Sequence, residues 1–256
     1  MDFALRFPVD IDAVIFDVGG VFTVPSHLRI GAELAKVGID APALSHASVH
    51  RGHFVGIRAF ERQTHTTEVM GIADWENYYQ VLLQAVGVSD NDLYDGFVAM
   101  KALLTHPTLP EHRPNPWSGV ISENVMGLQR LVEAGVPVGV VSNNDGTVPE
   151  QLIAVKVAQV GPGPFTPVSV IVDSGTVGVS KPDPAIFTPA LEAMGVVAAR
   201  ALYVGDTPHA DVRGARAAGM PVVQLDPYNL YAGWDHDRVT DVGVIADLLL
   251  RGHPRL

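Results

Sequence analysis

The chain has 256 residues, 47% apolar and 18% charged, with a formal net charge of −11 and no cysteine. That length suits one large domain or a core with a smaller partner, and the missing cysteines exclude disulfides, thiolate catalysis and cysteine-ligated zinc. A chain this acidic, with no basic stripe, repels nucleic-acid phosphates; a phosphate-binding site in it needs a metal ion or a few placed cations.

The amino terminus, Met1-Asp2-Phe3, has no basic stretch followed by an apolar run, and apolar runs such as 136–141 are too short to cross a bilayer. The expectation is a soluble, cytoplasmic protein without a membrane partner.

Residues 13–16 form an apolar run ending in Asp17 and Gly19-Gly20, the pattern of a buried strand entering a tight turn. Between 25 and 118 no strand pattern appears. Helical periodicities cover 28–37, 75–86 and 93–104, and the four prolines of 107–117 read as a linker. A mainly helical module of roughly ninety residues is therefore inserted after the first strand.

Beyond it, Ser122 is a candidate cap for a helix carrying Val125, Leu128, Leu131 and Val132 and stopped by Gly135. Residues 137–141 make a second strand ending in Ser142-Asn143-Asn144, and 168–172 a third. Asp183-Pro184 opens a helix that Gly195 stops. Residues 201–204 form a fourth strand ending in Gly205-Asp206, 211–218 a short Ala- and Gly-rich helix, and 222–225 a fifth strand ending in Asp226. Strands alternating with helices imply a parallel sheet covered on both faces. The predicted fold class is α/β, a doubly wound parallel-sheet (Rossmann-like) core of residues 1–24 and 119–256 with an inserted, mainly helical domain at 25–118.

In an open parallel sheet, ligands sit outside the carboxyl ends of the strands. Asp17, Ser142-Asn143 and Asp206 end strands there, and Lys181 follows the third strand. Carboxylates to hold a hard divalent cation, with a lysine and a hydroxyl for the remaining phosphate oxygens, are the parts that phosphoryl transfer needs.

Four segments resemble, in order, the motifs of the haloacid dehalogenase-like superfamily. They are Ile15-Phe16-Asp17-Val18-Gly19-Gly20-Val21, Val140-Val141-Ser142-Asn143, Val179-Ser180-Lys181-Pro182-Asp183-Pro184-Ala185-Ile186-Phe187, and Val204-Gly205-Asp206-Thr207 through Asp211 with Gly214 to Met220. The insert lies where that family carries a helical cap domain. The resemblance implies a phosphatase-type hydrolase whose nucleophile, Asp17, forms an aspartyl-phosphate that water hydrolyses. It implies magnesium held by the Asp17 and Asp206 carboxylates and the Gly19 carbonyl. Asp211 would ligate through water or orient from behind. Ser142 and Asn143 would bind the phosphoryl group and Lys181 would neutralise charge.

Gly19 departs from the pattern. Family phosphatases usually carry there a second aspartate, acid to the leaving group and then base to the water, a function worth about 10²–10⁴ in rate. Either the leaving group needs little protonation, another residue such as His27, His53 or Thr23 supplies the proton, or turnover is slow.

Blander readings exist for single residues. Asp17 before glycines suits any turn, and Asp211 suits a helix N-cap. Lys181, one of four lysines, suits a solvated loop, as does His209. His46, His50 and His53 share one helical face and read as a polar face rather than a metal site; with Arg51, Arg58 and Arg62 they could select a substrate. Trp75, Tyr78 and Tyr79 read as packing.

The expected function is a magnesium-dependent phosphomonoesterase for a small phosphorylated substrate, a monomer or homodimer without nucleic-acid partner. Alternatives on the same fold are a metal-independent 2-haloacid dehalogenase, which Gly19 suits but paired carboxylates do not, and a phosphonate hydrolase, with Lys36 as the counterpart of a cap lysine. From another class comes a non-catalytic binding protein that retains the fold.

Overall fold

The computed structural model describes residues 10–63, 72–105 and 116–251. The chain divides into two compact units, one formed by Met1–Phe22 with Val120–Leu256 and the other by Thr23–Gly119. The first is a mixed α/β unit around a parallel sheet.

Its six strands are β1 (Ala13–Phe16), β2 (Val138–Ser142), β3 (Val170–Asp173), β4 (Ala201–Gly205), β5 (Val222–Leu225) and β6 (Asp237–Val239). They lie side by side in the order 3-2-1-4-5-6, all parallel. β1 is central, with Val14 opposite both Val138 and Leu202. All four β1 side chains are buried, as expected of a strand covered on both faces. The strand order reverses between β1 and β4, and at such a reversal a crevice opens beyond the carboxyl ends of the strands.

One face of the sheet packs Ile15, Val141, Val172 and Tyr203 against Ile186, Phe187, Ala190, Val212 and Ala215. The Tyr203 ring meets Phe187 edge to face at 4.9 Å, so its apolar body belongs to the core. In the same unit, helix Ser122–Glu133 packs on helix Val242–Leu250. Asn124 ties the two, accepting from the Val242 N–H at 2.9 Å and donating to the Val21 carbonyl at 2.7 Å.

Several elements differ from the sequence reading. The apolar run at 168–172 is two strands, Thr166–Val168 in a small pair with Ala158–Val160 and Val170–Asp173 in the main sheet. Between them the Ser169 N–H leaves to the Val138 carbonyl. Ser122 is the first helical residue, and the cap position falls on Ile121, which makes no side-chain capping bond. Asp183 does cap, accepting from the Ala185 N–H at 2.9 Å, but the segment starts as a 3₁₀ turn, Pro184–Phe187, before helix Thr188–Met194. The predicted helix 211–218 is a π-turn, Pro208–Val212, running into helix Arg213–Ala217.

The second unit holds helices His27–Lys36, His46–Gln63, Ile72–Ala85 and Leu93–Thr105. Tyr78 and Tyr79 are buried, with Trp75 edge-on to Tyr78 at 5.4 Å, which makes these aromatics packing residues. His53 is buried, its Nδ1 2.9 Å from the Tyr78 hydroxyl. His46 and His50 stack at 6.4 Å between ring centres. Most of the predicted linker at 107–117, and the Arg62 side chain, lie outside the described residues. No described helix is long and apolar enough to cross a membrane.

Candidate active site

The site is assembled at the carboxyl ends of the strands within the first unit. Asp17 is the residue after β1; its N–H bonds to the Val204 carbonyl at 2.9 Å, extending the β1–β4 ladder by one rung. The chain then turns back, with the Phe22 N–H on the Val18 carbonyl at 2.8 Å and Gly20 at φ 67°, a conformation that suits only glycine well. Asp206 follows β4 directly.

Asp17, Asp206 and Asp211 are all buried, and they offer ligand oxygens within 4.8 Å of one another. They are the one such acidic or histidine group among the described residues. Lys181, only 6% exposed, places Nζ 2.7 Å from Asp17 Oδ1, 2.7 Å from Asp211 Oδ1 and 2.8 Å from the Tyr203 hydroxyl. All three ammonium hydrogens therefore have partners. The lysine is a buried bridge and not a solvated loop residue.

Three carboxylates and one ammonium leave this buried cluster with a formal excess of negative charge. Burial lifts Asp17 from its ordinary 3.8 to about 6; Lys181 opposes the rise, and Asp211 and Asp206 add to it. Burial alone would lower the Lys181 ammonium, but Asp17 and Asp211 outweigh it and hold the group above its ordinary range. The buried Tyr203 hydroxyl, beside Asp211 and Asp17, is pushed well up and stays protonated.

Asp211 is held more fully than a helix cap would be. Its Oδ2 accepts from the backbone N–H groups of Asp206 at 3.1 Å and Thr207 at 2.9 Å. Its Oδ1 takes the Lys181 ammonium and lies 3.0 Å from the Tyr203 hydroxyl, whose single hydrogen is shared with the Val141 carbonyl at 3.1 Å. A carboxylate offers about four acceptor positions, and these bonds occupy three or four. Direct metal ligation by Asp211 would displace one of them.

Asn143 also has a defined task. Its amide makes two bonds to the Lys181 backbone, donating to the carbonyl at 2.9 Å and accepting from the N–H at 2.8 Å. Ser142, buried at the end of β2, lies opposite Asp173 in register. The Asp173 carboxylate accepts from the N–H groups of Gly146, Val148 and Gly175 at 2.9, 3.0 and 2.9 Å, and so fastens the loop that follows Ser142. Gly19 is half-buried and carries no side chain into the site. His209 sits within the π-turn after Asp206.

Sequence reasoning missed Tyr203, Asp173 and Gln224. The visible signal for two of them was a polar side chain inside an otherwise apolar strand, since a buried hydroxyl or amide must find a partner. Gln224 is fully buried in β5 and donates to the Asp206 carbonyl at 2.7 Å.

Hard oxygen donors at this spacing, buried and with excess negative charge, fit a small divalent cation. A family model described as a haloacid dehalogenase-like hydrolase matches residues 11–219. Phosphoglycolate phosphatase of Thiobacillus denitrificans is 28% identical over 231 residues, which cover 89% of this chain and 88% of that protein. Phosphoserine phosphatase of Thermus thermophilus is 49% identical over 67 residues, 26% of this chain and only 27% of that protein. The solved hydrolase YfnB of Bacillus subtilis, bound to magnesium, shares the fold with a TM-score of 0.59 at 16% identity, over 94% of this chain and 99% of that one. With the first three motif segments and all but the last residue of the fourth inside one family match that takes in most of its length, the chain belongs to the haloacid dehalogenase-like hydrolases.

Proposed function

We propose that the protein is a magnesium-dependent phosphomonoesterase that works through an aspartyl-phosphate on Asp17. The carrying observation is the buried contact of Asp17 with Lys181 at 2.7 Å, inside a three-carboxylate cluster at the carboxyl ends of β1 and β4. Names of relatives support a small phosphorylated acid as substrate: phosphoglycolate phosphatase for one whose match covers 89% of this chain, phosphoserine phosphatase for another.

Asp17 and Asp206, with the Gly19 carbonyl, would hold magnesium, which when bound offsets the charge of the carboxylates and of the phosphoryl oxygens. An Asp17 oxygen attacks phosphorus, the bond to the leaving oxygen breaks, and that oxygen takes a proton from solvent water. Water then attacks phosphorus, inorganic phosphate leaves, and the carboxylate returns. Lys181 carries positive charge between nucleophile and phosphoryl group, and Ser142 binds a phosphoryl oxygen. Asn143 positions Lys181 through its backbone, and Asp211 positions Lys181 and the 206–207 loop. Gly19 supplies no acid, so substrates whose leaving group needs little protonation are turned over fastest.

The helical unit Thr23–Gly119 is proposed to act as the cap that chooses the substrate, in a cytoplasmic monomer or homodimer without nucleic-acid or membrane partners. Dehalogenation, which Gly19 would suit, is disfavoured because an anionic substrate would meet buried carboxylates with no divalent cation between them.

A phosphate-release screen over a metabolite panel with magnesium, using Asp17→Asn as the blank, tests the proposal. Magnesium-dependent release above that blank is the expected result. Release equal to the blank throughout, or halide release that survives chelator, ends it.

A further inference from the structure

Gln224 is a polar residue in the middle of an apolar strand, and its burial is complete. The amide makes two bonds of defined direction. Nε2 donates to the backbone carbonyl of Asp206 at 2.7 Å, and Oε1 lies 2.5 Å from Nε2 of His236. A carbonyl can only accept, so the amide must turn its NH₂ toward Asp206. Its oxygen then faces the imidazole, which must carry its hydrogen on Nε2. The reversed amide would set two acceptor oxygens against each other. The Asp206 carbonyl thus fixes the amide orientation and, through it, the tautomer in which His236 braces the amide.

His236 is itself held. Trp234 meets its ring edge to face at 5.9 Å. Arg216, from helix Arg213–Ala217, bonds the neighbouring Asp235 through both its carbonyl, at 2.7 Å, and its carboxylate, at 3.2 Å. At the other end of the chain of bonds, Asp206 is gripped on three sides. Gln224 takes its carbonyl, Asp211 takes its N–H, and the Thr207 hydroxyl donates to its Oδ1 at 3.1 Å.

Resting on the metal-dependent reading above, we propose that Gln224 and His236 form a positioning relay for the metal site. The loop after β5 thereby fixes the peptide of Asp206, and through it the direction in which the Asp206 carboxylate faces a divalent cation. Partners behind a ligand typically alter metal affinity by about 10–100-fold when removed. A purely structural role for the pair would change stability and leave the affinity for metal unmoved.

The test titrates magnesium alone into the full chain and reads the rise in melting temperature, with the magnesium dependence of phosphate release as a second readout. Gln224→Met keeps the volume and removes both bonds. His236→Leu, at a half-buried position, removes only the donor to Gln224 and is the safer variant for folding. His236→Gln returns an N–H to the place of Nε2. The expected result is about tenfold weaker magnesium binding in Gln224→Met, a several-fold loss in His236→Leu, and recovery of most of that loss in His236→Gln. Magnesium affinity equal to the parent in both Gln224→Met and His236→Leu overturns the relay. A parent that does not respond to magnesium overturns both the relay and the metal reading beneath it, and is distinguished because it precedes any substitution.

Discussion

The carboxylate of Asp211 occupies the space that a side chain on residue 205 would need: a Cβ built on Gly205 would lie 2.2 Å from Asp211 Cγ. That contact explains why the strand before Asp206 ends in glycine. Only there can Asp211 fold back onto the amides of 206 and 207 while still reaching Lys181. Gly205→Ala is predicted to expel Asp211 from the cluster. Activity should fall at least about a hundredfold, and stability by several kcal/mol, because a buried carboxylate loses its partners. Circular dichroism melts and phosphate release check both; a parent-like melt would show that the loop relaxes freely.

Asp17→Asn should abolish turnover and yet stabilise the metal-free protein at neutral pH. The folded carboxyl ionises near 6 and the unfolded one near 3.8. Between those values the folded state binds more protons, so stability falls as pH rises, and above about 6 the loss is complete. It is at most about 3 kcal/mol. The neutral amide removes it, so the variant's melting temperature should exceed the parent's at pH 7 and match it near pH 4. Saturating magnesium should reverse the order.

Lys181→Met removes the only cation that touches Asp17 and Asp211 in the described contacts. The two carboxylates would then face each other in a dry setting. A loss of about 3–5 kcal/mol is expected from breaking a buried ion pair on one side. Added magnesium should recover part of the melting temperature but little activity, since a placed charge donor is worth about 10²–10³ in rate. Denaturation with and without magnesium, alongside phosphate release, separates the two effects.

Gly19→Asp restores a carboxyl two residues after the nucleophile. Gly20, and not Gly19, has the positive φ, so residue 19 can carry a side chain without backbone strain. Hydrolysis of an alkyl phosphate should rise by about 10²–10⁴, while an aryl phosphate with a good leaving group changes little. Equal effects on both substrates would show that leaving-group protonation is not what the glycine withholds.

Much of this molecule was legible in its residues. Short apolar runs ending in Asp17, Ser142 and Asp206 marked strands that open onto one edge, because a buried parallel strand must be apolar and its polar exit must lie at the end. The run at 168–172 misled, since a continuous apolar stretch does not reveal that Ser169 diverts its N–H to Val138 and splits it between two sheets.

Composition and motif order determined the fold class and the family, and pointed to Asp17, Asp206 and Asp211, which the fold brings together. Tertiary structure alone decided what those residues do to one another. Asp17 and Lys181 are 164 positions apart, and no local pattern says that one ammonium will bridge two carboxylates and a tyrosine. It was the fold, too, that spent the Asn143 amide on the Lys181 backbone, filled Asp211 with internal donors and tied Asp206 to Gln224. The reason is physical: strand and helix periodicity is written over a few residues, whereas a buried polar atom takes whichever partner the packed chain brings within hydrogen-bond reach.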